Sequence, residues 1–245
     1  GYCVMRTAYL FDVDGTLTPS RQKILPEMET AFNKFIDNYS VYLVTGSDYE
    51  KTLEQLGKNV IEKVEKVYNC SGSDVWAAGK NIKKSEWVLP FEVRMWLEDR
   101  LADSLYPVKT GLHIEQRTGL CNFSIVGRRA SQDQRQDYVK YDKETKDRDS
   151  IVKDFNNVFC NVIASAGGET GVDIHPVGKD KSQIVEDFNE NDVIHFFGDR
   201  MDKDGNDHTL SLKASKSYPV KSWEDTYNLI VSLNQLAVLN GNNKD

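Results

Sequence analysis

The chain has 245 residues, enough for one large domain or for two modest domains that each bury a hydrophobic core. Hydrophobic residues make up 39% of the sequence and charged residues 28%, which excludes a disordered chain. Acidic residues outnumber basic ones by 38 to 31, and the formal net charge of −7 argues against a nucleic-acid partner or an anionic membrane surface.

The cysteines and the apolar segments indicate a cytoplasmic protein. No two cysteines form a Cys-x-x-Cys pair, and their wide spacing is typical of a reducing compartment. No segment approaches the roughly 18 consecutive apolar residues of a membrane span, and no signal peptide is evident. We therefore expect no membrane partner. The four cysteines are Cys3, Cys70, Cys121 and Cys160.

The first part of the chain alternates strands and helices. An apolar run at residues 7–13 predicts a strand buried on both faces, and a helix is expected over residues 27–38. A second buried strand, residues 41–44, precedes a long helix that Asp48 can cap and that continues to about Val64. This order predicts parallel βαβ units.

The middle of the chain has a different pattern, in which helices accompany antiparallel hairpins. Ser131, with Gln134 three residues later, forms a capping-box sequence that opens one of these helices. The segment therefore predicts an inserted α+β module with an antiparallel sheet. Its predicted elements are a helix over 90–105, a hairpin of 113–116 and 120–126, a helix over 131–143, and a hairpin of 158–166 and 170–175.

The first pattern returns after Gly178. A helix is expected over residues 182–188, a buried strand over 193–197 and a closing helix over 222–239. The fold class is therefore α/β, with a Rossmann-like parallel-sheet core and an inserted α+β domain that contains an antiparallel sheet. We expect residues 1–78 and 178–245 to form the core and residues 79–177 to form the insertion.

Two carboxylates stand where the first buried strand ends. Asp12 and Asp14 follow an apolar Tyr-Leu-Phe sequence, and burying both would be costly without a metal ion or hydrogen bonds. Ligands of open parallel sheets bind at this end of the strands. A turn-capping role for the pair is the less favoured interpretation.

A second acidic cluster follows the strand at 193–197. If the two strands are neighbours, Asp199 and Asp207 converge with the first pair on an all-oxygen site suited to Mg²⁺. Taken alone, the stretch 201–207 is more typical of a solvated acidic loop.

Three further side chains could serve phosphoryl transfer to a carboxylate. Thr45 and Ser47 end the second strand and can donate hydrogen bonds to phosphate oxygens. Lys181, ahead of a helix, can supply a positive charge, and Lys179 competes for that role. Taken singly, each of these residues is better explained by an ordinary turn or helix start.

These motifs resemble those of the haloacid dehalogenase superfamily. The Asp-x-Asp-Gly-Thr sequence at 12–16, Thr45, Lys181 and the acidic stretch 198–207 look like its four motifs. The sequences FDVDGTLTPSR, GSDYEKTLEQLG, VGRRASQDQR and FFGDRMDKDGND resemble, more specifically, the eukaryotic-type phosphomannomutase family. The resemblance covers nearly the whole chain.

The resemblance implies a mutase that interconverts mannose 6-phosphate and mannose 1-phosphate, with Mg²⁺ as cofactor and a hexose 1,6-bisphosphate as activator and intermediate. Asp12 would be the nucleophile and Asp14 the general acid and base, with Thr45 and Lys181 also catalytic. The metal would be bound by Asp12, the backbone carbonyl of Asp14 and Asp199, with Asp207 close by.

The resemblance also gives the inserted domain, the family's cap, a substrate-binding role. A mutase must hold the distal phosphate of a bisphosphate, and arginine offers a bidentate fork for it. A homodimer through the cap is a further expectation. The substrate-binding residues implied by the resemblance are Arg21, Ser47, Arg117, Arg128, Arg135, Gly171 and Asp173.

The sequence departs from the family at several of these positions. Gly171 stands where the family has a contacting serine, and Lys213 lies in the stretch where the family has an acidic ligand of a second cation. A sugar-phosphate phosphatase on the same scaffold is therefore the nearest alternative. A phospho-accepting regulator and a non-enzymatic sugar-phosphate binder are the other two, and the choice between mannose and glucose phosphates stays open.

Overall fold

A computed structural model describes residues 5–241, so Cys3 lies outside the described residues. The chain divides into two compact units, which we call the core unit and the cap unit. The core unit contains the residues up to Lys84 and from Lys179 onward, and the cap unit is Ser85–Gly178. The sequence-based boundary at residue 79 differs from this division because the next strand still pairs with the core sheet.

Eleven strands and eight α-helices are formed by the described residues. The strands are β1 (Thr7–Phe11), β2 (Val41–Val44), β3 (Lys66–Asn69), β4 (Asp74–Ala77), β5 (Lys80–Lys84), β6 (Ile114–Arg117), β7 (Leu120–Ser124), β8 (Val162–Gly167), β9 (Gly171–Pro176), β10 (Val193–Gly198) and β11 (Lys216–Pro219). The helices are α1 (Pro26–Asn38), α2 (Tyr49–Leu56), α3 (Lys58–Lys63), α4 (Phe91–Asp103), α5 (Gln132–Thr145), α6 (Asp147–Val158), α7 (His208–Lys213) and α8 (Trp223–Asn240). None of these helices is long and apolar enough to cross a membrane.

The core unit contains a seven-stranded sheet in the order β11-β10-β1-β2-β3-β4-β5. The first five strands of this order are parallel, and β4 and β5 are antiparallel additions at one edge. Phe11 of β1 lies opposite Phe197 of β10, which confirms that the two strands followed by acidic residues are neighbours. Both phenylalanines are fully buried, as expected for central strands of a parallel sheet.

The helices of the core unit follow the apolar periodicity, with one interruption. The formation of α1 is explained by a proline in its first turn and by the buried side chains of Met28, Phe32 and Phe35 on one face. The long helix predicted after Asp48 is wrong, because Gly57 adopts a left-handed φ of 83° and divides it into α2 and α3. The helix predicted over 182–188 is a 3₁₀ helix, Lys181–Asp187.

The cap unit contains a four-stranded antiparallel sheet in the order β6-β7-β9-β8. One face of this sheet is buried in an apolar cluster that includes Phe123 of β7 and Phe155 of α6. Both hydrogen bonds of the predicted capping box between Ser131 and Gln134 are present at the start of α5. The strand predicted over 158–166 begins only at Val162, because Val158 is the last residue of α6, a helix that the sequence analysis missed, and a short connection follows it.

Candidate active site

Asp12 lies at the carboxyl end of β1, in the middle of the core sheet. Its backbone N–H donates to the carbonyl of Phe197 at 2.9 Å, so the chain continues the pairing with β10 past the strand end. The side chain is 4% exposed, and Thr16 Oγ1 donates to Asp12 Oδ2 at 3.2 Å. The carboxylate is therefore buried at the edge of the sheet where ligands of such folds bind.

Two glycines allow the acidic loops to approach each other. A Cβ atom on Gly15, where φ is 76°, would lie 2.3 Å from Asp199 Oδ2. A Cβ atom on Gly198 would lie 2.6 Å from Asp207 Oδ2. Both distances are far shorter than van der Waals contact, so glycine is required at each position for the carboxylates to converge.

Lys181 connects two of these carboxylates. Its Nζ donates to Asp12 Oδ1 at 2.9 Å and to Asp207 Oδ1 at 2.7 Å. The side chains of Lys181 and Asp207 are 1% and 0% exposed, and the charged groups are shielded from water. Lys179, the alternative considered from the sequence, is exposed.

Burial and charge shift the pKa values of this cluster. Burial raises the pKa of Asp12 to about 6, with Lys181 opposing the shift and the neighbouring carboxylate of Asp199 adding to it. Burial also raises the pKa values of Asp199 and Asp207. Burial alone would lower the pKa of Lys181, but the two carboxylates outweigh it and the pKa is raised.

The cluster fits a hard divalent cation. One carboxylate oxygen from each of Asp12, Asp199 and Asp207 lies within 4.8 Å of the other two. Lys181 offsets only one of these three negative charges, and oxygen ligands of this kind are those that Mg²⁺ prefers. The residues present thus suit a magnesium ion in both charge and donor type.

Asp14 has a different set of partners. Its Oδ1 accepts hydrogen bonds from the backbone N–H of Arg21 and, at 3.1 Å, from Gln55 Nε2. Gln55 is 2% exposed and also donates to the carbonyl of Gln22 at 3.2 Å, which fixes its amide. The Asp14 side chain is therefore held by α2 and is not among the three clustered carboxylates. Metal binding by the Asp14 carbonyl remains a prediction.

Thr45, Gly46 and Ser47 form a loop at the end of β2. Thr45 is 2% exposed, and its Oγ1 accepts a hydrogen bond from the Ser47 N–H at 3.1 Å. The backbone N–H of Ser71 donates to the Thr45 carbonyl at 2.8 Å. Asp48 caps α2 as predicted, accepting from Lys51 N at 2.8 Å. The side chain of Arg21 is exposed.

Two of the three predicted cap arginines share one acidic partner. Arg117 Nε lies 2.5 Å from Glu115 Oε1, and Arg128 Nε lies 3.8 Å from Glu115 Oε2. Arg135, in the first turn of α5, donates to the carbonyl of Arg128 at 3.4 Å. Burial lowers the pKa of Arg128, and the positive charge of Arg117 lowers it further. The three predicted arginines thus lie close together.

Asp173 and Gly171 lie on β9, beside a buried asparagine. Asn122 Nδ2 donates to Asp173 Oδ1 at 2.9 Å, while Asn122 Oδ1 is buried without a hydrogen-bond partner. A Cβ atom on Gly171 would lie 2.4 Å from Asn122 Nδ2. Arg148 donates to the carbonyl of Gly171 at 3.0 Å. The amide of Asn122 therefore fills the space that a side chain at position 171 would need.

Sequence reasoning missed four residues that contact the predicted ones. Thr16 and Gln55 hold the carboxylates of the first motif, and Glu115 and Asn122 hold cap residues. Thr16 stands inside the Asp-x-Asp-Gly-Thr motif and could have been named from it. The other three carry no local signal, because their contacts depend on side-chain orientation or on distant segments.

Comparison with known proteins identifies the family. The profile described as "Eukaryotic phosphomannomutase" matches residues 28–236. A phosphomannomutase of Triticum aestivum is 37% identical over 209 residues, with 82% of this chain and 84% of the relative covered. A phosphomannomutase of Saccharomyces cerevisiae is 30% identical over 238 residues, covering 93% and 94% of the two chains. The chain belongs to the eukaryotic phosphomannomutase family.

The fold of this phosphomannomutase family member is shared with more distant structures. A trehalose-6-phosphate phosphatase related protein aligns with a TM-score of 0.59 at 15% identity, covering 95% of this chain and 99% of that chain. A trehalose-6-phosphate phosphatase of Aspergillus fumigatus gives a TM-score of 0.56 at 15% identity, with 94% and 93% covered. The predicted fold class, a haloacid dehalogenase-like core with an inserted α+β domain, is confirmed.

Proposed function

We propose that this protein is a Mg²⁺-dependent phosphomannomutase that interconverts mannose 6-phosphate and mannose 1-phosphate through an aspartyl-phosphate. The observation that carries the proposal is the buried ammonium of Lys181 between Asp12 and Asp207, beside Asp199. Such a cluster can neutralise charge on a transferring phosphoryl group. Membership of the eukaryotic phosphomannomutase family supports the substrate.

Asp12 acts as the nucleophile in this proposal. A carboxylate oxygen of Asp12 bonds to phosphorus, the bond from phosphorus to the sugar oxygen breaks, and that oxygen leaves with a proton. Hydrogen bonds from Lys181 and Thr16 orient the carboxylate, and the charge of Lys181 opposes the rise that burial causes in its pKa. Thr45 and Ser47 donate to the phosphate oxygens from the end of β2.

Asp14 acts as the general acid and base. It protonates the leaving sugar oxygen and later removes the proton from the attacking hydroxyl. The contacts from Gln55 and from the Arg21 backbone hold one oxygen of Asp14 and leave the other for the proton. The Arg21 side chain contacts the substrate phosphate.

Asp12, Asp199 and Asp207 hold the magnesium ion, together with the carbonyl of Asp14. When bound, the ion supplies positive charge that neutralises the phosphoryl oxygens. Lys181 supplies a fixed second charge through its own hydrogen bonds. The stretch around Lys213 gives no carboxylate for a second cation.

The cap unit binds the phosphate that is not being transferred. Arg117, Arg128 and Arg135 offer charged forks for that phosphate, and Asp173 accepts from a sugar hydroxyl beside Gly171. A hexose 1,6-bisphosphate is both the activator that phosphorylates Asp12 and the intermediate of each turnover. Retaining this intermediate distinguishes a mutase from an enzyme that releases phosphate.

A sugar-phosphate phosphatase is the second candidate. The observation that favours it is Gly171, since glycine removes a side chain from the cap sheet next to Asp173. Water would then accept the phosphoryl group in place of a second sugar hydroxyl. The arginine cluster of the cap favours the mutase, because hydrolysis does not need a distal phosphate clamp.

One assay separates these functions. Mannose 1-phosphate is incubated with Mg²⁺ and a catalytic amount of glucose 1,6-bisphosphate, and mannose 6-phosphate and free phosphate are followed together. The mutase forms mannose 6-phosphate without releasing phosphate, whereas phosphate release alone identifies a phosphatase. The Asp12→Asn variant is the control and forms neither product. The same assay with glucose 1-phosphate tests sugar preference.

The assembly and the compartment also belong to the proposal. The cap unit exposes large apolar side chains at Val88, Phe91 and Met95, and we propose that they contribute to a homodimer. Light scattering of the protein and of a Phe91→Ser variant tests this, with a monomeric variant as the expected result. The cysteine pattern supports a cytoplasmic location.

A further inference from the structure

Glu115 stands out in the cap unit because one carboxylate contacts two arginines. Its Oε1 lies 2.5 Å from Arg117 Nε and its Oε2 lies 3.8 Å from Arg128 Nε. The Glu115 side chain is 27% exposed, which reduces the screening of these charges by water. Each carboxylate oxygen therefore contacts a different arginine.

The strand register places Glu115 on the polar face of the cap sheet. Glu115 lies opposite Asn122, and Asn122 lies opposite Asp173, so the three residues form one row across three strands. Residues directly opposite each other project to the same face. Cys121 and Phe123, which alternate with Asn122, are buried in the apolar cluster. Glu115 thus shares a face with the proposed sugar contact.

The arginine cluster needs a counter-ion. Like charges held close together destabilise one another, and the pKa of Arg128 is lowered first by burial and then by Arg117. The Glu115 carboxylate offsets this repulsion. It also contacts the Nε atoms of both guanidinium groups, through a hydrogen bond from Arg117 and a longer ion pair with Arg128. Within the described part of the chain, the terminal nitrogens of these two arginines make no hydrogen bond. Those nitrogens are the donors of a phosphate fork.

We propose that Glu115 is a positioning residue for the distal phosphate. It holds Arg117 and Arg128 by their Nε atoms so that their terminal N–H groups clamp the oxygens of one phosphate monoester dianion. The inference deepens the proposed function and rests on it, since the ligand is the second phosphate of a hexose bisphosphate. Without Glu115, the two arginines would still attract the phosphate, but their guanidinium groups would not be held in one orientation.

The test measures binding of glucose 1,6-bisphosphate by calorimetry in an Asp12→Asn background, where no transfer occurs. Adding Glu115→Gln removes the charge but keeps the size of the side chain, and we expect about tenfold weaker binding, the effect of losing a charged hydrogen bond. Glu115→Asp keeps the charge but shortens the reach, and an intermediate loss is expected. Glu98→Gln on α4, where the side chain is exposed, is the matched control and should bind normally.

A second measurement separates positioning from a general loss of structure. With Asp12 intact, phosphorylation is followed with glucose 1,6-bisphosphate and with acetyl phosphate, a donor that has no distal phosphate. Glu115→Gln should slow only the first reaction, through a higher half-saturating concentration. A variant that slows both reactions equally would overturn the positioning role.

Other results would also contradict the inference. Unchanged or tighter binding by Glu115→Gln would show that the carboxylate merely competes with phosphate. If that variant does not fold, wild-type binding by Glu115→Asp would be the contradicting result. Failure of the proposed function is distinguishable, because the unmodified protein would then neither isomerise hexose phosphates nor phosphorylate Asp12.

Discussion

The side-chain amide of Gln55 donates to Asp14 Oδ1 across 3.1 Å, so a buried residue of α2 holds the carboxylate proposed as the acid and base. We predict that Gln55→Leu lowers kcat by roughly tenfold to a hundredfold, since general acid–base catalysis is worth at least that much when the group is well positioned. Stopped assays with mannose 1-phosphate over a range of pH measure the effect.

Gln55→Glu is the companion variant. Ionised glutamate cannot donate the hydrogen bond and repels the Asp14 carboxylate, so kcat should fall at least as far as in Gln55→Leu across the pH profile. A Gln55→Glu profile that overlays the wild-type profile would refute the contact as a determinant of Asp14 function.

Lys181 should be essential for stability as well as for activity. Lys181→Met leaves the carboxylates of Asp12 and Asp207 buried without their shared cation, and removing one partner of a buried ion pair costs about 3–5 kcal/mol. Urea unfolding in the presence of a chelator measures the free energy. The double variant Lys181→Met/Asp207→Asn should recover part of the loss, and a loss no smaller than that of the single variant would contradict this account.

Gly15→Ala should abolish phosphoenzyme formation. The added Cβ atom would meet Asp199 Oδ2 at 2.3 Å, and the residue already has a left-handed φ of 76°. Gly57→Ala is the matched control, because its φ is 83° but nothing lies within 4 Å of the added atom. The control should lose about 1–3 kcal/mol of stability from backbone strain and keep its turnover. Equal activity of the two variants would disprove the steric argument.

Serine at position 171 should impair this protein. The Cβ atom of Gly171→Ser would lie 2.4 Å from Asn122 Nδ2, so either the amide or β9 must shift. We expect a raised KM for the hexose phosphate and a lower melting temperature. Adding Asn122→Ala makes room and should restore the melting temperature toward that of Asn122→Ala alone. If Gly171→Ser melts like the wild type, Asn122 does not exclude a side chain there.

Stability should fall in mild acid because of His195. The imidazole ring of His195 stacks on Tyr9 and contacts the hydroxyl of Tyr218 at 2.9 Å. Burial, and secondarily the charge of Lys216, lowers the pKa of His195 below its usual 6.5. The unfolded state therefore binds the proton more tightly, and the folded state loses stability as pH falls through the window just below that value.

Thermal melts of the wild type and of His195→Gln across about pH 5 to 8 check this. The variant should show a shallower decline in melting temperature on the acidic side. Parallel declines for the two proteins would mean that another group causes the acid sensitivity.

The sequence was sufficient for the convergence of the acidic residues but not for the side chains that support them. The sequence predicts that Asp12 and Asp199 lie together because each follows a buried strand, and parallel strands end at one edge of their sheet. Gln55 and Glu115 lie on a helix and a strand with no distinctive pattern. Their roles depend on packing that local periodicity does not encode.

The missed elements have local physical reasons. The segment 147–158 is rich in aspartate and asparagine, which are weak helix formers, although buried Ile151 and Phe155 fix it as α6. Gly57 interrupts an apolar period that otherwise continues on both sides. Tertiary packing outweighed local helix propensity in α6, and one backbone conformation at Gly57 outweighed the apolar periodicity.

The pairing of β1 with β10 has a consequence for the order of folding. The connection between these strands contains β2 to β5 of the core unit and the whole cap unit, and the hydrogen bond from Lys181 to Asp12 spans 169 positions of sequence. During synthesis the cap segment leaves the ribosome while the partners of β1 on that side are still untranslated. The cap can therefore fold early, whereas the acidic cluster around Lys181 must await closure of a very long loop, a slow step that exposes the apolar edge of β1 to chaperones.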